Sequence, residues 1–344
     1  MNRNFWGFDF NASPDPFNFD SKGTKKIFSR LGFSLCAYLA LSIGIITLLQ
    51  YIVILTIGPE AATSDLFIWG GQVLVMYIIA FPVFYLMTRD VPRKIKQKTK
   101  MDIEELFMLF FIAEVASFAG SAISNFITNI FYLILGRDIS GGITDIVMDT
   151  PIWIVIIVAV IIGPIFEELI FRRILIDRLS PFGEKFAIIT TSVAFGVFHG
   201  NIDQVVYATA LGLIFGYVYS VTRDVRYSIG LHIAFNFFGT IPAMLVYDSA
   251  EKVYALPEEV LLDPTALMEY LPEIMAVYGY SIVQLAFVGL GVYFLVKCVK
   301  QKRFKLNNEV DIRIPRAEIA RTFLNPGVIA FAIVTVAQFV LNLI

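Results

Sequence analysis

The sequence predicts an all-α membrane protein, a polytopic bundle of about eight or nine transmembrane helices. Of its 344 residues, 57% are hydrophobic and only 16% are charged, and the mean hydropathy is +0.73. Soluble domains average about 45–50% apolar and about 25% charged residues. The apolar residues are also gathered in runs of about 20, which is the length of a helix that crosses a bilayer.

Nine apolar runs are predicted to be spans. They lie at about 31–57, 66–88, 104–135, 151–176, 186–199, 204–222, 228–247, 279–297 and 326–344. The run at 104–135 exceeds one crossing and contains Glu114, Asn125 and Asn129. We therefore expect it to tilt, to break or to run along the membrane surface. The run at 186–199 is short, so we expect it to cross only partly.

Charged residues are segregated by loop. Residues 89–100 carry six basic residues against one acid, and residues 297–321 carry eight against three. Residues 248–278 carry seven acids against Lys252. The positive-inside rule puts the two basic loops and the N-terminus in the cytoplasm, where the basic runs can also touch anionic lipid. Nine crossings then leave the acidic loop and the C-terminus outside.

Two adjacent carboxylates interrupt the apolar run that begins at Pro151. A charge at the bilayer centre costs roughly 2.5 kcal/mol or more, so it persists only when it is paired or functional. Residues four apart share a helix face, so Glu168 is predicted to pair with Arg172. Glu167 points about 100° away. Pro164 removes a backbone N–H one turn earlier and predicts a kink.

Both histidines of the chain also lie in apolar runs. His199 follows Phe195 by four residues, and His232 precedes Asn236 by four, so each pair shares a helix face. A histidine in a membrane helix can simply bond to a neighbouring helix. That interpretation weakens here, because the chain places both of its histidines in spans that follow an unpaired carboxylate.

A carboxylate, two imidazoles and an amide can hydrolyse a peptide bond. A carboxylate and an imidazole beside one water can take its proton, and a second imidazole with an amide N–H can stabilise the oxyanion. Alternatively, Glu167, His199 and His232 could bind Zn²⁺. Cys36 and Cys298 have no local partner, which disfavours covalent catalysis. No phosphate loop or aromatic-interleaved basic patch indicates nucleotide or nucleic-acid binding.

Three motifs together resemble the CPBP intramembrane proteases, which include type II CAAX prenyl endopeptidases and bacterial bacteriocin-processing and immunity proteins. They are Glu-Glu-x-x-x-Arg at 167–172, Phe-x-x-x-His at 195–199 and His-x-x-x-Asn at 232–236. Each motif alone is weak, but the order and spacing of all three are specific. The resemblance covers about residues 150–240 and implies a helical membrane fold with an active site inside the bilayer.

The resemblance also implies a role for each motif residue. Glu167 and His199 would activate water, His232 and Asn236 would form the oxyanion site, and Glu168 and Arg172 would be structural partners. Family members are often catalogued as metalloproteases, although a metal-free glutamate mechanism is proposed for the prenyl endopeptidases, so the sequence leaves the cofactor open. Many members have Thr-Gly before the third motif, where this chain has Thr222 and Arg223. A different bend is therefore expected there.

The predicted division of the chain follows from these features. It comprises a flexible polar cytoplasmic tail at 1–30, N-terminal spans at 31–148, a CPBP-like catalytic core at 149–247, an acidic extracytoplasmic loop at 248–278, and C-terminal spans with the basic loop at 279–344. The expected partners are a peptide or membrane-anchored protein substrate and the lipid bilayer. The resemblance favours a bacterial plasma membrane.

Three functions remain open at this stage. The first is an intramembrane endopeptidase that processes a peptide or bacteriocin, and the second is a non-catalytic immunity or scaffolding protein on the same fold. The third is an ion-coupled transporter, which would also contain buried Glu and His but predicts inverted repeats that the sequence lacks. Glu114 is interpreted as a protonated or paired carboxyl, with a role in orienting a histidine as the alternative.

Overall fold

The computed structural model describes residues 20–136, 143–306 and 310–343. Every regular element in these ranges is a helix, which confirms the predicted all-α bundle. The main helices are α1 Ser21–Thr56, α2 Asp65–Thr88, α3 Ile103–Leu135, α4 Ile152–Phe182, α5 Glu184–Phe198, α6 Ile202–Thr222, α7 Val225–Tyr254, α8 Leu271–Lys300, α9 Arg316–Phe323 and α10 Pro326–Leu343. Single helical turns fill parts of the connections, for example Pro59–Ala62 and Glu258–Leu262.

Seven helices of the described chain are long and apolar enough to cross a membrane, and the bent pair α9 and α10 makes an eighth candidate. These two helices meet at an angle of 57°. The nine predicted spans exceed this number because they include the short run at 186–199. That run forms α5, which has 15 residues and is therefore about 22 Å long, less than the roughly 30 Å of a bilayer core.

Helices α5 and α6 form an antiparallel hairpin. Arg223, just after α6, pairs with Glu184 at the start of α5, with 2.6 Å between Nη2 and Oε1. The start of α5 and the end of α6 therefore lie at the same end of the bundle. Gly212 of α6 faces Ser192 so closely that a Cβ would lie 2.9 Å from the serine Cα. The small side chains at this position therefore allow the two helix backbones to approach each other closely.

Other parts of the chain differ from the sequence prediction. Helix α1 begins at Ser21, so the last ten residues of the predicted flexible tail are helical, and residues 1–19 lie outside the described ranges. Helix α3 runs without a break over 33 residues, so of the three courses predicted for that run the break is wrong, and the tilt and the surface position stay predictions. The acidic loop is shorter than predicted, because α7 extends to Tyr254 and α8 begins at Leu271.

An extended strap, residues 91–102, crosses the helix ends opposite the acidic loop. Three alternate lysines of the strap contact acids on three different elements. The pairs are Lys94 with Asp311 at 2.6 Å, Lys96 with Glu184 at 2.6 Å and Lys98 with Asp224 at 3.2 Å. The backbone N–H of Thr99 also donates to the carbonyl of Thr222. These lysines therefore fasten the strap to the bundle, and their predicted part in setting topology and touching lipid stays a prediction.

Arg223 occupies the turn at which the sequence departs from the Thr-Gly of many family members. Its φ of 54° is the left-handed conformation that glycine adopts most easily. The side chain is buried and contacts Glu184 and, at 3.6 Å, Asp177. Arginine thus takes a conformation that glycine favours, and its ion pairs offset the steric cost, while the difference in bend from those family members stays a prediction.

Candidate functional site

The site is built on α4, whose helical geometry changes on both sides of the carboxylates. Segments 156–162 and 169–176 are π-helical, and Gly163–Glu168 is α-helical between them. In a π-helix each carbonyl accepts from the N–H five residues later, as Val158 does from Gly163. Pro164 follows and has no N–H to offer to Ala159.

Asn236 of α7 satisfies the carbonyl that Pro164 leaves free. Its Nδ2 donates to the Ala159 oxygen at 3.0 Å. An unpaired carbonyl inside a membrane protein is costly, so this side-chain bond replaces the missing backbone bond. The bond fixes α7 against α4 two turns before Glu167 and uses one of the two N–H bonds of the amide.

The ion pair predicted between Glu168 and Arg172 is present. Glu168 Oε2 lies 3.2 Å from Arg172 Nε, and both side chains are fully buried. The angles of this contact do not make a hydrogen bond, so charge attraction is its main component. The guanidinium also lies over the ring of Phe195, with its carbon 4.8 Å from the ring centre. Cation–π attraction therefore contributes to holding the buried charge.

His232 lies between the two carboxylates. Its Nδ1 donates to Glu168 Oε1 at 3.2 Å, and its Nε2 is 3.6 Å from Glu167 Oε2. The imidazole is buried and stacks on Phe215, with 4.6 Å between ring centres. Glu168 therefore fixes the orientation of the ring and directs its other nitrogen toward Glu167.

His199 ends α5 and is held by its own helix. Its Nδ1 is 2.8 Å from the carbonyl oxygen of Phe195. A carbonyl only accepts, so Nδ1 must carry the proton, and in the neutral imidazole Nε2 is then a free base. The Phe195 ring lies between the two histidines, 4.9 Å from the His199 ring and 5.9 Å from that of His232.

The structure thus brings Glu167, Glu168, Arg172 and His232 into one chain of contacts. His199 lies next to that chain across one aromatic ring, and Asn236 lies on the same helix as His232. Over the described ranges no ion pair joins His199 to Glu167. The 26% exposure of the Glu167 side chain contrasts with the full burial of Glu168. Glu167 is therefore the carboxylate that a substrate can reach.

The three residues considered as zinc ligands do not form a metal site. In the part of the chain that the structure describes, no group of three His, Cys, Asp or Glu side chains is arranged to hold a metal ion. Glu167 and His232 approach each other, but His199 does not complete the set. We therefore derive no step through a metal.

Glu114 makes no described polar contact with either histidine. The described polar contacts of the two imidazoles are with the Phe195 carbonyl, Glu167 and Glu168, and their ring contacts are with Phe195 and Phe215. Glu114 is buried in α3, and its Oε1 has no hydrogen-bond partner among the described residues. No described contact supports a role in orienting a histidine, and Oε1 forms no pair with a neighbouring helix, so a protonated carboxyl stays the prediction for Glu114.

The sequence did not predict the contact between Glu168 and His232. Helix periodicity relates residues of one helix and carries no information on pairs between α4 and α7. The sequence also did not predict that aromatic rings surround Arg172, because Phe195 and Phe215 come from two other helices.

Comparison with known proteins matches the segment that forms this site. The family model described as "Type II CAAX prenyl endopeptidase Rce1-like" matches residues 149–238. The chain is also 29% identical over 195 residues to the "Putative membrane peptidase YdiL" of Bacillus subtilis (strain 168). That match covers 54% of this chain and 76% of the relative. No solved structure matches the chain.

Proposed function

We propose that this chain is a CPBP-type intramembrane endopeptidase in which Glu167 activates the attacking water, a proposal that the similarity of residues 149–238 to the prenyl endopeptidase model and the resemblance to a putative membrane peptidase support. The observation that carries this proposal is His232 held between Glu167 and Glu168 in a buried part of the bundle. A short peptide or a membrane-anchored protein, including a bacteriocin precursor, is the substrate class that such a site suits.

The chemistry needs no covalent intermediate. Water attacks the scissile carbonyl carbon while Glu167 takes one of its protons, and the carbonyl electron pair moves onto oxygen. The tetrahedral intermediate then expels the amine, which receives that proton from Glu167. His232 lies beside this carboxylate, with 3.6 Å between its Nε2 and Glu167 Oε2, and keeps the oxyanion role that the resemblance implies. The free Nε2 of His199 suits it as the second acceptor for the water, consistent with the role that the resemblance implies.

Asn236 has a divided role in this proposal. One N–H of its amide stays on the Ala159 carbonyl, and the other is free to donate to the oxyanion of the intermediate. Because the first bond fixes the amide, the second N–H is preorganised. This arrangement supports the assignment of Asn236 to the oxyanion site.

The decisive experiment replaces Glu167 while keeping its shape. The purified chain in lipid nanodiscs is given a quenched-fluorescence library of membrane-anchored peptides, with a farnesylated CAAX peptide as a separate probe. Glu167→Gln is expected to reduce cleavage by about 10²–10⁴-fold, the range of general-base catalysis. The matched control is Glu258→Gln, at an exposed residue far along the chain, which should retain full activity.

Cleavage by the Glu167→Gln variant at the rate of the unaltered chain would refute the assignment. The two probes also separate substrate classes, because the farnesylated peptide tests prenyl-protein processing and the library tests peptide processing. If neither probe is cut, but the chain protects cells against a bacteriocin and the Glu167→Gln variant protects equally well, the chain is an immunity protein on the same fold.

A further inference from the structure

Tyr77 packs directly against the residue that precedes Glu167. It lies in the π-helical part of α2 and is buried. Its ring stacks on Phe166, with 4.5 Å between ring centres and 19° between the planes. Phe81, one turn later on α2, contacts the same ring edge-on at 4.9 Å. Phe166 thus fixes the position of Tyr77 relative to the catalytic helix.

The hydroxyl of Tyr77 lies on the helix face that carries Glu167. A Cβ on Gly163 would lie 3.5 Å from that hydroxyl oxygen. Gly163 and Glu167 are four residues apart in an α-helical segment and therefore share a face. Side chains of a helix lean toward its N-terminus, so the Glu167 carboxylate leans back over Gly163 toward the phenol.

The N–H groups first assigned to the oxyanion are largely occupied. The two ring nitrogens of His232 face Glu168 and Glu167, and one N–H of Asn236 donates to Ala159. In contrast, the Tyr77 hydroxyl lies beside Gly163, in the direction in which the Glu167 side chain leans. A phenol O–H is a suitable oxyanion donor when the site holds it in place.

We propose that Tyr77 is a further catalytic residue, whose hydroxyl donates a hydrogen bond to the oxyanion that forms when water attacks the substrate carbonyl. This inference rests on the proposed function. In the attack, the new carbon–oxygen bond forms, the water proton goes to Glu167, and the carbonyl electron pair moves to the oxygen facing Tyr77. The phenol keeps its proton throughout and releases the hydrogen bond when the carbonyl is restored.

Tyr77→Phe tests this role because it removes one oxygen and keeps the ring on Phe166. With the peptide that the unaltered chain cleaves best, kcat is expected to fall about 10²–10³-fold, as on loss of one oxyanion donor. KM should stay within about twofold, because the bond exists only once charge develops. The matched control is Tyr51→Phe at an exposed tyrosine of α1, which should leave both constants unchanged.

The melting temperature in detergent distinguishes catalysis from packing. Tyr77→Phe should melt within a few degrees of the unaltered chain, since the stacked ring is retained. If kcat stays within about twofold while Glu167→Gln abolishes cleavage, Tyr77 is not the donor and the proposed function stands. A fall in activity matched by an equal rise in KM or by loss of folded protein also overturns the proposal. Full activity of Glu167→Gln would instead overturn the proposed function itself.

Discussion

Glu168 has two separable roles at the scale of single residues. It is the counter-charge of Arg172 and the hydrogen-bond acceptor of His232. Removing one member of a buried ion pair costs about 3–5 kcal/mol, because the other charge is left unpaired. Replacing both members by neutral residues of similar size is often nearly neutral. The two roles can therefore be tested with one pair of variants.

Glu168→Gln is expected to lower the melting temperature strongly and to abolish cleavage. The double variant Glu168→Gln with Arg172→Met should regain much of the lost stability, because no unpaired charge remains, but should stay inactive, because His232 is no longer held by a carboxylate. Thermal unfolding in detergent and peptide cleavage measure the two effects. Recovery of activity together with stability would show that Glu168 acts only through Arg172.

The sequence predicted interactions at this scale only along a helix. The pairing of Glu168 with Arg172 followed from their four-residue spacing and is observed. The position of His232 against Glu168 could not be predicted, because it depends on how α7 packs against α4. The position of Tyr77 near Glu167 could not be predicted for the same reason, since it depends on how α2 packs against α4.

The strap of residues 91–102 is the clearest case at the scale of elements. Its lysines were predicted from charge alone to set topology and touch lipid, whereas Lys94, Lys96 and Lys98 pair with internal acids. Loop charge indicates the side of the membrane but does not indicate which acids lie within reach. The π-helical turns of α4 were also unpredictable, although Pro164 correctly marked where its backbone bonding is interrupted.

The strap should make the stability of the protein depend on pH in acid. Hydrogen bonds from Arg226 above all, with Lys98, hold the pKa of Asp224 well below its ordinary range. Burial disfavours the Glu184 carboxylate, but bonds from Lys96 and Arg223 outweigh it, so its pKa is also lowered. A lowered pKa stabilises the fold above the unfolded value of about 4, and that stability is lost as the pH falls through the folded value.

We therefore expect the melting temperature to be constant from about pH 7 to about pH 5 and to fall below about pH 4. Lys98→Met should lower the melting temperature at pH 7. It should also reduce the further fall of the melting temperature in acid, because protonation of Asp224 then breaks fewer favourable contacts. Lys100 lies on the same strap, is exposed and forms no ion pair among the described residues. Lys100→Met should therefore behave as the unaltered chain. An identical acid response of the two variants would refute the role given to Lys98.

For the whole molecule, the contacts put the basic strap and the acidic loop at opposite ends of the bundle. The strap, the start of α5 and the turn after α6 meet at one end. Helix α7 starts there and runs for 30 residues, about 45 Å, so the acidic loop lies at the opposite end. Nine passes remain consistent with this arrangement when α5 counts as a partial one. The membrane side of each end remains the prediction of the positive-inside rule.

Cysteine labelling tests that orientation. In a chain with Cys36 and Cys298 replaced by alanine, Leu262→Cys in the acidic loop should react with a membrane-impermeant maleimide added to intact cells. Lys300→Cys at the end of α8 should react only after the membrane is opened. Both positions are exposed in the structure. The reverse pattern would invert the topology, and labelling of both in intact cells would contradict the predicted crossing of α8.

The shortness of α5 has a consequence for the lipid around this protein. Its 15 residues leave His199 about 8 Å short of the far side of a typical hydrocarbon layer. Gln338 of α10 packs against Gly200 beside that imidazole, and headgroups, solvent or acyl chains fill whatever part of the gap the protein leaves. A cell that lengthens or shortens its fatty acids would thereby change how readily water enters above His199, so membrane composition would itself regulate turnover.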